Sequence, residues 1–201
     1  VIAELEEAGI TEEQVNTGGL RITTTIDMQA QNAAVEQART QTESLAEDVR
    51  EAVVSVDPKS GAVRSWYGGA DPVGYDYAGA GLQTGSTFKI VALAAYLDQG
   101  GSIYDYFDSS PVTTGQTEVT NVDDQSCGSC PISQALKMSL NTSFIRLTRE
   151  LNGGAQDVAD MAHRLGAAET LPGVGETLKE NGGAPFEGIT LGQYQSSPLD
   201  M

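Results

Sequence analysis

A serine followed three positions later by a lysine, in Ser86-Thr87-Phe88-Lys89, has the clearest capacity for covalent chemistry in this sequence. The run behind it, Ile90-Val91-Ala92-Leu93-Ala94-Ala95-Tyr96-Leu97, is apolar nearly all round and predicts a buried helix ending near Gly100-Gly101. A helix opening at Ser86 puts Lys89 on the same face as the hydroxyl. It also leaves free backbone N–H groups and the positive end of the helix dipole beside that hydroxyl. A serine hydroxyl attacks poorly unless a neighbouring base removes its proton. Lysine serves as that base when burial lowers its pKa. With Phe88 and Ile90 as neighbours, Lys89 needs a partner or a task. Taken alone, the four residues are better read as a plain N-cap, with the lysine stem lying along the first turn, because a serine and a lysine at this spacing occur by chance in most proteins. Ser139-Leu140-Asn141, further along, is by itself an ordinary cap or turn.

The two cysteines stand close together in Cys127-Gly128-Ser129-Cys130. They fit a local disulfide closing a loop, a pair of free thiols, or a redox or metal motif. The last needs either a buried strand before the pair or further ligands. The preceding residues, Thr120-Asn121-Val122-Asp123-Asp124-Gln125-Ser126, are polar, and the lone His163 is distant in sequence. A disulfide is the favoured reading, and it would belong to an oxidising compartment.

Several elements must position these groups. Residues 1–19 read as a short helix and a turn, then Leu20-Arg21-Ile22-Thr23-Thr24-Thr25-Ile26 alternates and is β-branched, predicting a strand. Asp27 can cap a helix from Met28 to about Ala46, with Met28, Ala30, Ala34, Val35, Ala38 and Leu45 as its stripe. Residues 51–57 and 62–67 predict a hairpin turned by Asp57-Pro58-Lys59-Ser60-Gly61, with Trp66 as a core or sheet anchor. The glycine-rich run 70–85 predicts loop, with Tyr75, Tyr77 and Leu82 as anchors, and 102–130 is loop with weak strand content. Helices are expected at Ile132–Lys137 after Pro131, at Thr142–Leu151, and at Ala155–Leu165 with Val158, Met161, Ala162 and Leu165 inward. Beyond 170, Ile189-Thr190-Leu191-Gly192 is strand-like and Pro198 to Met201 is expected to start a helix.

The 201 residues suit one domain and at most two. Eleven basic against 28 acidic residues give a net charge of −17, which argues against direct nucleic-acid binding and against adsorption to anionic lipid. No stretch reaches the roughly 18 apolar residues of a membrane span. The start is helix-like without an initiator methionine and the end falls abruptly after Met201, so the sequence is expected to belong to a longer chain.

Gly85-Ser86-Thr87-Phe88-Lys89, followed by Ser139-Leu140-Asn141-Thr142, resembles the transpeptidase domain of class A penicillin-binding proteins, which shares its core motifs with the serine β-lactamases. The flanks resemble it too: Gly19-Leu20-Arg21-Ile22-Thr23-Thr24-Thr25-Ile26-Asp27 with Gln31, then Val54-Ser55-Val56-Asp57-Pro58-Lys59-Ser60-Gly61-Ala62-Val63 with Tyr67-Gly68-Gly69, and finally Ser197-Pro198-Leu199-Asp200-Met201. Leu82-Gln83-Thr84 departs from the arginine–glutamine–proline that many relatives carry before the glycine–serine.

The resemblance implies an α+β fold of the penicillin-binding and serine β-lactamase kind, an antiparallel sheet with packed helices plus a helical lobe. Residues 1–19 would lead into it and 20–201 would form the N-terminal portion of the domain. The remaining strands and the lysine–threonine–glycine motif would follow Met201, on this chain or a separate one, so residues 1–201 alone are expected to be almost inactive. A peptidoglycan glycosyltransferase domain and a membrane anchor would lie upstream, on the outer face of the bacterial cytoplasmic membrane. By the same resemblance Ser86 attacks D-Ala-D-Ala stem peptides, Lys89 takes its proton, Ser139 relays a proton to the leaving nitrogen, and Asn141 holds the substrate amide and helps fix Lys89. β-Lactams would trap Ser86, and no cofactor or metal is implied. The alternatives are a D,D-carboxypeptidase or serine β-lactamase of the same fold, or a β-lactam sensor or scaffold that does not cross-link.

Overall fold

The computed structural model describes residues 2–46, 48–71 and 73–201. The chain divides into two compact units, one ending at Tyr75 and one starting at Asp76.

The first unit contains helices α1 (Ile2–Glu7), α2 (Glu12–Thr17) and α3 (Met28–Thr42) and strands β1 (Val53–Val56) and β2 (Val63–Tyr67). Helix α2 opens on a capping box, in which the Thr11 hydroxyl accepts from the Gln14 N–H and the Gln14 side chain accepts from the Thr11 N–H. Asp27 caps α3 by accepting from the N–H groups of Gln29 and Ala30, each at 2.9 Å. The hairpin β1–β2 is antiparallel with an irregularity at Ser55/Val56. Its turn is tied by Asp57, whose carboxylate accepts from the Lys59 N–H, the Ser60 hydroxyl and Arg64. These donors hold the carboxyl at a pKa of about 2. Helix α3 packs on β2 through a narrow face on which Ala34 and Ala38 are buried. Met28 and Leu45, expected on that stripe, are exposed.

The strand expected at 20–26 does not form. The backbone of β2 that such a strand would have paired is used otherwise. The Asp27 N–H donates to the Arg64 carbonyl, and the Gln31 side chain both accepts from the Trp66 N–H and donates to the Trp66 carbonyl. Around residue 25 single bonds reach the hairpin among the described residues, from the Thr25 hydroxyl to Val63 O and from Arg64 to Thr25 O.

The second unit runs through β3 (Leu82–Gln83), a 3-10 turn at Gly85–Phe88, α4 (Lys89–Asp98), β4 (Tyr106–Asp108), β5 (Val112–Thr114), β6 (Thr117–Val119), β7 (Ser129–Pro131), α5 (Ile132–Lys137), α6 (Asn141–Glu150), α7 (Ala155–Leu165), β8 (Thr170–Leu171), β9 (Gly175–Glu176), a second 3-10 turn at Glu187–Leu191, and β10 (Gln195–Ser196). Its strands pair as short antiparallel ribbons, β3 with β10, β4 with β7, β5 with β6 and β8 with β9. The fold is therefore mixed, helices with antiparallel strands. The core is helical: Phe88 and the buried face of α4 meet Phe144 and Leu147 of α6 and Val158 and Ala162 of α7, with Ile132, Leu140 and Ile189 closing the sides. Burying such large aliphatic and aromatic side chains is worth roughly 1.5–3 kcal/mol each.

Three expectations change here. Ile90 and Leu97 on α4 and Leu165 on α7 are exposed, because each lies off its helix's packed face. The strand-like Ile189-Thr190-Leu191 is part of a 3-10 turn, closed by Gly192 in the left-handed conformation with its N–H given to the carbonyls of Gly188 and Ile189. Pro198 to Met201 forms a turn, in which the Asp200 carboxylate accepts from the Ser197 N–H and the Ser196 hydroxyl.

Candidate active site

The 3-10 turn brings Ser86 up to the start of α4, and Gly85 enters it at φ +57°, a conformation that glycine adopts without penalty. Lys89, the first residue of α4, has 0% exposure, whereas Ser86 is exposed. From beneath the serine the Lys89 Nζ donates to Ser86 Oγ at 2.8 Å, to Ser139 O at 2.8 Å, to Ser139 Oγ at 3.1 Å and to Asn141 Oδ1 at 2.8 Å. Ser86, Lys89, Ser139 and Asn141 thus meet at one point.

Burial pushes the Lys89 amine down to about pKa 8, from an ordinary value of 10.5. Its four partners are uncharged oxygens, so desolvation acts without an opposing carboxylate. Near neutral pH a useful fraction of the amine is unprotonated, and its lone pair then lies within reach of the Ser86 O–H.

The turn carrying Ser139 has its own logic. Helix α5 ends in a Schellman stop: the Ser139 N–H donates to the Leu136 carbonyl and the Leu140 N–H to the Ala135 carbonyl. The residue at the left-handed position of such a stop is usually glycine, yet here Ser139 holds it at φ +55°. That backbone aims both the carbonyl and the hydroxyl of Ser139 at the same amine. Leu140 then drops into the core at 1% exposure, and α6 starts at Asn141. The Asn141 amide is held from its other end, Nδ2 donating to Thr120 O at 3.1 Å. Sequence patterns gave no sign of the Thr120 contact, and the absence of glycine hid the Schellman stop.

Cys127 and Cys130 form a disulfide, with Cα atoms 5.9 Å apart. Among the described residues, no group of three or more His, Cys, Asp or Glu side chains is placed to hold a metal ion. No helix of the described residues is long and apolar enough to cross a membrane.

A buried, desolvated lysine beneath an exposed serine, flanked by a second serine and an asparagine, is a constellation suited to serine acyl transfer without histidine. Residues 51–197 match the model of the penicillin binding protein transpeptidase domain, and the chain belongs to that family.

Among curated proteins it is 52% identical to penicillin-binding protein 1A of Mycobacterium tuberculosis over 98% of its length. It is 50% identical to penicillin-binding protein 1A of Mycolicibacterium smegmatis over 96% of its length. The chain spans about a quarter of these relatives, 24% and 25% of their lengths. Among solved structures, that of the PonA1 protein from Mycobacterium tuberculosis in complex with penicillin V superposes with a TM-score of 0.95 at 52% identity, covering all of this chain and 54% of that one. The imipenem acyl-enzyme complex of penicillin-binding protein A from M. tuberculosis shares the fold at a TM-score of 0.73 and 18% identity, covering 94% of this chain and 52% of that one.

Proposed function

We propose that this chain supplies the nucleophile and its base to a peptidoglycan D,D-transpeptidase. The observation that carries the reading is the Lys89 amine, desolvated and within 3.1 Å of Ser86 Oγ, Ser139 Oγ and Asn141 Oδ1 together. Ser86 Oγ attacks the carbonyl between the last two D-alanines of a stem peptide, and its proton passes to Lys89. Ser139 hands a proton on to the departing nitrogen, the C–N bond breaks, and D-alanine leaves an acyl-enzyme on Ser86. The amine of a neighbouring stem peptide then attacks that ester, forms the cross-link and returns the proton to Ser86. The Ser86 N–H is one donor to the oxyanion, a type of contact worth roughly 2.7–4 kcal/mol. Asn141 orients the substrate amide and the Lys89 amine.

β-Lactams, which resemble the acyl-D-alanyl-D-alanine end, acylate Ser86 when their ring C–N bond opens. Residues 20–201 are read as the N-terminal portion of the transpeptidase domain, with 1–19 leading into it. The lysine–threonine–glycine strand belongs to the rest of the domain. The parent protein carries a glycosyltransferase domain and a membrane anchor at the outer face of the cytoplasmic membrane.

The test is labelling of the full-length protein with a fluorescent penicillin. Label that disappears with Ser86→Ala supports the nucleophile, and label that persists overturns it. Incubation with stem peptides then separates cross-linked product, as proposed, from the free D-alanine and hydrolysed peptide of a carboxypeptidase. Rapid release of opened β-lactam would mark a β-lactamase, and acylation without any peptide turnover a sensor.

A further inference from the structure

Helix α6 begins without a cap of its own, since Leu140 stands at its N-cap position and no side chain there accepts a hydrogen bond. Buried helix N–H groups left without acceptors are costly. The acceptor comes from another segment. Asn121, in the loop after β6 and 8% exposed, takes the Thr142 N–H on its Oδ1 at 3.1 Å. The Thr142 hydroxyl is shared between the same Oδ1 at 3.1 Å and Ser109 O at 2.9 Å. Asn121 Nδ2 donates to Ser109 O at 3.0 Å and to Gln125 O at 2.8 Å, so the amide's donors and acceptor are both engaged. The residue before it, Thr120, gives the carbonyl that holds Asn141 Nδ2. An amide fixed by its nitrogen presents its oxygen in one direction, and that oxygen meets Lys89.

The segment is in turn anchored. Ser109 Oγ donates to Gly128 O and accepts from the Cys127 N–H, which ties the loop to the disulfide-closed turn. An interlocked set of buried bonds of this kind has little freedom to rearrange.

We infer that Asn121 is a positioning residue for acyl transfer: from the Thr120-Asn121 segment it fixes the first turn of α6 and, through it, the Asn141 amide against the Lys89 amine. The inference rests on the roles proposed above for Ser86, Lys89 and Asn141. Asn121 itself touches none of the reacting atoms. Among the described residues, the groups facing the Lys89 amine from the elements around it are Ser86, Ser139 and Asn141, none of them charged. Any movement of Asn141 is therefore felt directly by that amine. Oδ1 accepts from the ammonium and favours the charged form, so a turned-away amide lowers the pH at which Lys89 gives up its proton.

The experiment measures acylation of the full-length protein by fluorescent penicillin against pH for wild type, Asn121→Ala, Thr142→Val and Ser86→Ala, with thermal unfolding in parallel. Asn121→Ala is expected to slow acylation on the order of 10–100-fold per folded molecule, the scale of a displacement near 1 Å. The midpoint of the acid limb should move to lower pH. Thr142→Val, which removes only the shared hydroxyl, should shift the midpoint the same way by less. Should Asn121→Ala fail to fold, Thr142→Val decides. A midpoint that stays or rises in folded variants overturns the inference, whatever happens to the amplitude, because a purely structural defect scales the active fraction alone. Label persisting in Ser86→Ala overturns the underlying reading instead, whatever Asn121 does.

Discussion

The amine of Lys89 lies 2.8 Å from the hydroxyl oxygen of Ser86, the lysine wholly buried and the serine open to solvent. The first prediction follows from the direction of the lysine's shift. Only the neutral amine accepts the serine proton, and burial brings its pKa to about 8. Acylation by penicillin should climb with pH and level off above that value. Lys89→Arg, charged at every accessible pH, should lose roughly 10²–10⁴-fold with no recovery at high pH. A profile that is flat from about pH 6 to about pH 9 would count against the base assignment.

Ser139 sits where glycine would be relaxed, at φ +55° in the stop that ends α5. A left-handed non-glycine residue costs about 1–2 kcal/mol. Replacing it by glycine removes that cost and also the hydroxyl that touches Lys89. Ser139→Gly is expected to gain up to about 1 kcal/mol in urea unfolding while acylating more slowly. A variant that is both less stable and fully active would contradict the proposed trade between backbone ease and chemistry.

Arg149 on α6 grips Glu187 with two parallel bonds, Nε to Oε1 and Nη2 to Oε2, each 2.7 Å. The guanidinium holds the Glu187 carboxyl below its ordinary value of 4.5. A folded-state pKa below the unfolded one adds stability that is present above pH 4.5 and lost as pH falls through the folded value. The arginine is 39% exposed, so solvent screening limits the loss in Glu187→Gln at neutral pH to about 0.5–1 kcal/mol. Denaturant titrations should show the gap between wild type and variant closing below pH 4.5. A gap that persists in acid would mean the pair matters through packing instead.

Gly192 ends the turn that Glu187 begins and lies against Gly85, the residue before Ser86. A Cβ there would clash with both the backbone nitrogen and the carbonyl oxygen of Gly85, and the φ of +76° at Gly192 disfavours any side chain. Neither neighbour is a flexible side chain that could yield. Gly192→Ala should therefore destabilise by about 1–3 kcal/mol and, by displacing Gly85 and Ser86, slow acylation on the order of 10²-fold. Unchanged melting and labelling would show that the backbone gives way more easily than the contact implies.

How far the sequence leads is clear from particular residues. The three-residue spacing of Ser86 and Lys89 and the apolar run behind them predict an amine buried under a hydroxyl, because helical geometry is local. The approach of Ser139 and Asn141 is a tertiary contact, and only the family resemblance gave a reason to expect it. Local patterning failed where another group satisfied the backbone. Residues 20–26 have strand composition, yet Gln31 and Asp27 take the bonds of β2. Ile189-Thr190-Leu191 is apolar enough for a strand, but Gly192 closes it as a turn. Asn121 carried no signal at all, since its role depends on where Thr142 arrives.

The oxygens that surround the Lys89 nitrogen are all electrically neutral. Dissolved ions weaken interactions between exposed charges over roughly 8–10 Å, and here they find no such pair to weaken. The short contacts around that amine should then depend little on salt, which acts instead through the field of a chain whose formal charge is −17 on how readily Lys89 sheds its proton. Salt would also be felt in how often a charged substrate arrives.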